Sequence, residues 1–153
     1  WKESLGVEED PFNLQRFVEA QANTFETAPA ELRVGRKRSH WMWFVFPQLR
    51  GVDRSPTADF YGIGSAEEAR AYLAHGDLGP RLECATRAVL STTGISAHII
   101  FGSPDDLKFR SSMSLFAFVS SASGNLFRDA LERWFGGRMD DATLALLEAS
   151  SST

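Results

Sequence analysis

Ser39-His40-Trp41-Met42-Trp43-Phe44-Val45-Phe46-Pro47-Gln48, written SHWMWFVFPQ, is the stretch on which the fold turns. The consecutive apolar residues Trp41 to Phe46 suit either a buried strand or two turns of buried helix, and Pro47 closes the run in both cases. Helical spacing in the segments on both sides tips the reading toward helix.

Upstream, Asp10-Pro11-Phe12-Asn13 offers a turn and an N-cap. Leu14, Phe17, Val18, Gln21 and Phe25 follow at helical spacing, which predicts a helix over 13–27. Pro29 is expected to stop or kink it, and a further short helical stretch reaches Leu32 before Gly35 ends it. Downstream, the segment 50–64 turns to Gly, Asp, Ser, Pro and Thr and reads as a loop anchored by Phe60-Tyr61. Ser65-Ala66-Glu67-Glu68 is a capping box that opens a helix to about Ala74. Leu82, Ala85 and Val89 mark the inward stripe of the next helix, which ends near Thr93-Gly94, and a short apolar piece from Ala97 to Phe101 follows.

Ser103-Pro104-Asp105-Asp106 joins an N-cap serine, a first-turn proline and two acids that complement the helix dipole. The helix it opens is apolar on more than one face, so it is expected at the centre of the molecule. Asn125 caps another helix, stopped by Gly136-Gly137, and Asp140 or Asp141 caps a last one through Leu147. Neither a run of alternating strands nor an internal repeat is present. The expected architecture is mainly α, a single-domain irregular helical bundle of about six or seven helices. It spans residues 10–149, with 1–9 as a lead-in and 150–153 as a frayed tail.

Composition agrees with this. A chain of 153 residues, 43% hydrophobic and 24% charged, suits one core, and its 12 Phe and 4 Trp must lie largely inside. The net charge of −4 argues against a general nucleic-acid-binding surface. The single cysteine, Cys84, excludes an internal disulfide framework and fits a reducing compartment, so cytoplasm is the expected location. At mid-helix it reads as a small core residue. No apolar run approaches the ~18 residues of a membrane-spanning helix, and the start has no signal-peptide pattern, so no membrane partner is expected. His40, His75 and His98 lack ligand spacing, and neither a metal nor a cofactor is expected.

Arg36-Lys37-Arg38-Ser39-His40-Trp41-Met42-Trp43 gathers cations, an imidazole and two indoles. This is equipment for a nucleotide-like ligand, because cations neutralise phosphate, an indole stacks on a base and histidine hydrogen-bonds a ribose. An ordinary solvated basic face beside core tryptophans is the alternative. A second cluster, Asp105-Asp106-Leu107-Lys108-Phe109-Arg110-Ser111-Ser112, offers general-base carboxylates and anion-holding cations, although its acids also serve as first-turn caps. Serines inside an apolar helix need hydrogen-bond partners or mark close packing. The candidate catalytic residues are therefore His40 and Asp106. The candidate ligand-binding residues are Lys37, Arg38, Ser39, Trp41, Gln48, Lys108, Ser111 and Ser112.

The segments DPFNLQRFVEAQ, GRKRSHWMWFVFPQLRG, EARAYLAHGDLGPRL and FGSPDDLKFRSSMSLF, in this order, resemble the domain-of-unknown-function family 1810 over Asp10 to Leu147. The resemblance implies a small, predominantly helical protein and carries no established activity. Some members bear the label calpastatin, but calpain inhibitors are disordered and this composition builds a core. By analogy, a central helix with stacking aromatics is also similar to the all-helical glycohydrolases acting on ADP-ribose adducts and riboflavin intermediates. Three readings stand side by side. One is a domain binding a small anionic or nucleotide-like molecule and cleaving an N-glycosidic bond, another is a non-catalytic metabolite-binding module, and the third is an interaction scaffold with exposed aromatics.

Overall fold

A computed structural model of the chain describes residues 10–120 and 125–151. Ten helices are present among the described residues: α1 (Gln15–Gln21), α2 (Thr27–Val34), α3 (Met42–Val45), α4 (Pro56–Tyr61), α5 (Ala66–Ala74), α6 (Leu78–Leu90), α7 (Ala97–Phe101), α8 (Asp105–Val119), α9 (Leu126–Phe135) and α10 (Asp141–Ser151). The mainly helical reading holds, and the expected number of helices was too low. Among the described residues there is no strand, only an isolated parallel bridge between Leu49 and Ile63.

The extra helices have local causes. Residues 13–27 do not form one helix: α1 ends at Gln21 and a new helix starts at Thr27. Pro29 does not break that helix, because it occupies the first turn of α2, where a missing N–H costs no intrahelical bond. Within the expected loop, Ser55 accepts a hydrogen bond from the Ala58 N–H and Pro56 takes the first helical position, which together start α4. Ser96 caps α7 in the same way. Ser65 caps α5 as expected, but Glu68 reaches back to the Gly64 N–H. Ser103 is not the cap of α8; that position belongs to Pro104, without a side-chain hydrogen bond. Asn125 and Asp140 cap α9 and α10 as anticipated. The tail helix reaches Ser151, and 152–153 lie outside the described residues, as does the lead-in 1–9.

Helix α8 is central, and it packs on α5, α7, α9 and α10. It buries Phe109, Met113, Leu115, Phe116 and Ala117, leaving Leu107 and Phe118 toward solvent. The opening decapeptide plugs into this helix. Phe46 lies edge-on to Phe109 at 5.1 Å and to Phe101 at 5.9 Å, while Phe101 stacks on Phe109 at 4.6 Å. Aromatic pairs of this geometry add ~1 kcal/mol each to the burial of their area.

A buried guanidinium ties the other half together. Arg16 donates to the carbonyls of Phe12, Asn13, Phe60 and Gly62 and to Glu68 at 2.7 Å, with the two side chains 5% and 6% exposed. Arg50 adds bonds to the Asp59 and Gly62 carbonyls. Nearby, a Cβ at Gly79 would sit 2.1 Å from the Leu73 carbonyl oxygen, so the α5–α6 corner closes only around glycine. Cys84, expected inside, is exposed on α6, because it falls off the inward stripe formed by Leu82, Ala85 and Val89. No helix among the described residues is long and apolar enough to cross a membrane.

Candidate functional site

The site is built where the strap from Gly35 to Trp41 crosses the start of α8. Gly35 ends α2 with φ 89°, a left-handed conformation that turns the chain out of the helix. A Cβ there would lie 2.8 Å from Ile95 Cδ1, a contact the end of that side chain can relieve, so it is the left-handed φ that favours glycine. The strap then docks on α7, with the Lys37 N–H donating to the Ile100 carbonyl at 2.7 Å.

Glu31 holds the strap from behind. Its carboxylate accepts the backbone N–H groups of Arg38 (2.8 Å) and Ser39 (3.0 Å), the Ser39 hydroxyl (2.5 Å) and the Trp41 indole N–H (2.9 Å). Burial pushes this carboxyl up, but the Ser39 hydroxyl, the two backbone donors and the indole outweigh it and hold it down at about 2. A single carboxylate thus gathers four donors.

Held this way, Lys37 points its ammonium at Asp105, with Nζ 2.9 Å from Oδ2. Lys108 approaches the other oxygen of the same carboxylate at 3.7 Å, and its Nζ stands 3.6 Å from the centroid of the Trp43 ring. Side-chain exposures of 9% for Lys37, 15% for Lys108 and 20% for Asp105 show that the three charges are largely shielded from water. In the adjoining turn, Asp106 faces His98, Oδ2 to Nδ1 at 3.4 Å, with the histidine 68% exposed.

The predicted residues separate into groups. Lys37 and Lys108 converge. Trp41 is 0% exposed, its indole N–H committed to Glu31, so its ring is not open for a ligand to stack on. Ser39 is likewise committed to Glu31. Arg38 and His40 are exposed on the strap, and His40 makes no side-chain hydrogen bond or ion pair among the described residues. Asp106 pairs with His98 rather than with His40. Gln48 lies beside Trp43, Asp53 and Tyr61 in a recess of about 10 Å³, the space of one water molecule. Ser111 and Ser112 are buried in α8, and the Ser112 hydroxyl has no partner. No group of His, Cys, Asp or Glu suited to a metal ion occurs among the described residues.

Glu31 and His98 lay outside both clusters, while Trp43 and Asp105 belonged to them but were not among the selected candidates. The three-residue spacing of Asp105 and Lys108 on a helix was a readable signal for one pair. No local pattern announces that Glu31 gathers donors eight and ten residues downstream.

Among solved structures, this chain is similar to the conserved hypothetical protein Rv1873 from Mycobacterium tuberculosis. The two share 55% identity with a TM-score of 0.88, over 91% of this chain and 99% of that one. No curated protein matches the chain. The profile of the family described as protein of unknown function, DUF1810, matches residues 11–147, and the chain belongs to that family.

Proposed function

We propose that the corner of the strap and α8 binds a small phosphorylated, nucleotide-like molecule. The observation that carries this reading is the convergence of Lys37 and Lys108 on one carboxylate, with Lys108 lying against Trp43. Shielded ammonium groups bind phosphate more strongly than exposed ones, because their field is less screened. An indole beside them supplies a stacking surface of about 1–3 kcal/mol per base. Trp43 takes the role expected of Trp41, Gln48 offers its amide to a base edge, and His40 is free to meet a ribose hydroxyl. Arg36 and Arg38, exposed on the same strap, steer an anion toward the site. The recess beside Trp43 is small, so a base enters by moving the Lys108 side chain off the ring.

A hydrolytic extension is favoured by one further observation, the Asp106–His98 pair one residue along from Asp105. A carboxylate beside an imidazole is equipment for activating water at a glycosidic carbon. The interaction-scaffold reading loses Trp41, which is inside, and keeps Phe60 at 54% exposure, with Phe25 and Phe118 also exposed.

The test is a thermal-shift screen with ADP, ADP-ribose and inorganic pyrophosphate on the wild type and on K37M and K108M. Ligands at about 100 times their Kd stabilise by ~2.7 kcal/mol, which for this chain length moves the midpoint by several degrees. The expected result is a shift in the wild type that both variants lose. A flat screen, or a shift that survives both substitutions, overturns the assignment. Product analysis with ADP-ribose then separates binding from cleavage: a hydrolase shows turnover that D106N removes while binding persists.

A further inference from the structure

We propose that Asp105 is the site's own anion, an internal plug that occupies the place of the ligand's phosphate between Lys37 and Lys108 and must be displaced before binding. This rests on the phosphate-binding reading above and adds to it how the site is kept closed. The carboxylate presents one oxygen to each ammonium, at 2.9 and 3.7 Å, as a bound phosphate presents its equatorial oxygens to a pair of cations. The charges do not balance: two ammonium groups face one carboxylate, and a dianionic phosphate matches both.

Each partner has somewhere to go when the plug leaves. Lys37 stays near the Trp41 ring at 5.2 Å from its centroid, and Lys108, as it yields the Trp43 face to the base, pairs with the incoming phosphate. Asp105 is a first-turn acid of a fifteen-residue helix, so it can swing away from the lysines and still be stabilised by the helix dipole. Asp106 does not duplicate it, because its side chain faces His98. The two neighbouring acids therefore do different jobs, one in the phosphate position and one beside it.

A plug of this kind acts as an occupancy penalty: the apparent Kd equals the intrinsic Kd divided by the fraction of time the lysines are free. If they are free about a tenth of the time, removing the plug tightens binding about tenfold. Titration calorimetry with inorganic pyrophosphate and with ADP on wild type, D105N and D105S measures this directly. Serine is itself a good residue for a helix start, so D105S keeps the test alive if D105N folds poorly. D129N, an exposed first-turn acid of α9, controls for overall charge. The expected result is about tenfold tighter binding in D105N or D105S, an unchanged D129N, and loss of the gain in K37M/D105N. Equal or weaker binding in folded D105N and D105S, with the wild type still binding, overturns the plug and leaves the phosphate site standing. No binding by wild type or any variant removes both.

Discussion

Glu31→Gln tests whether one carboxylate holds the strap in place. Glutamine keeps the size of the side chain and one acceptor oxygen but removes the charge and the second oxygen. The carboxyl is held down at about 2 against an ordinary 4.5, and each unit of difference is worth ~1.4 kcal/mol, which sets a ceiling of about 3 kcal/mol. Glu31 is only half-buried, so solvent screening reduces this to about 1–2 kcal/mol. For a domain of this size that is a fall of about 3–6 °C in Tm at neutral pH. The pH dependence is distinctive. A depressed folded value stabilises fully above the unfolded value near 4.5 and is lost as pH falls toward 2, so the gap between wild type and E31Q holds from pH 7 to 5 and shrinks to less than half by about pH 3. Urea unfolding followed by circular dichroism at pH 7, 5 and 3 reads it. A gap that is absent at pH 7, or the same at pH 3 as at pH 7, would refute the reasoning.

Arg16→Met leaves Glu68 buried without its counter-ion and removes four carbonyl contacts, so stability falls by about 3–5 kcal/mol; a urea series showing less than about 1 kcal/mol would mean that the segment 59–64 is held elsewhere. Trp43→Leu removes a half-buried ring and its stacking face, costs about 1–2 kcal/mol in the same assay, and abolishes the ADP-induced shift in Tm; an intact shift removes Trp43 from the site. Ser112→Ala deletes a buried hydroxyl without a partner and leaves stability within about 0.5 kcal/mol of wild type or slightly above it, whereas a loss beyond ~1.5 kcal/mol in thermal unfolding would reveal a partner for that hydroxyl.

Cap chemistry made most helix boundaries legible. Ser65, Asn125, Asp140, Gly35 and Gly136 act where their side chains or their lack of one predict. What misled was composition read in bulk. Ser55 and Pro56 sit in a stretch rich in turn residues, yet serine followed by proline is also a helix start, and α4 forms there. The centre of the fold was legible because α8 has apolar residues all round, which only a helix buried on several sides tolerates. The residue types gathered at the candidate site were legible, and their pairing was not. Lys37, Lys108 and the two acids were visible as chemistry-bearing types, but which acid faces the lysines depends on the rotation of α8 and the path of the strap, both set by tertiary contacts such as Lys37 N–H to Ile100.

SHWMWFVFPQ shows how rotation about a helix axis decides the fate of each indole. A strand would have placed Trp41, Trp43 and Val45 on one face, and the two indoles would have shared a fate. The buried positions are instead Trp41, Met42, Val45 and Phe46, the spacing of a helical stripe even in so short a turn. Two residues along a helix correspond to ~200° of rotation, so Trp43 must leave the core if Trp41 enters it. Trp41 then becomes the wall against which Glu31 and Lys37 are ordered, and Trp43 becomes the ring that Lys108 covers. The period that makes this segment helical is therefore what separates the indole buried behind the strap from the one left half-buried beneath Lys108.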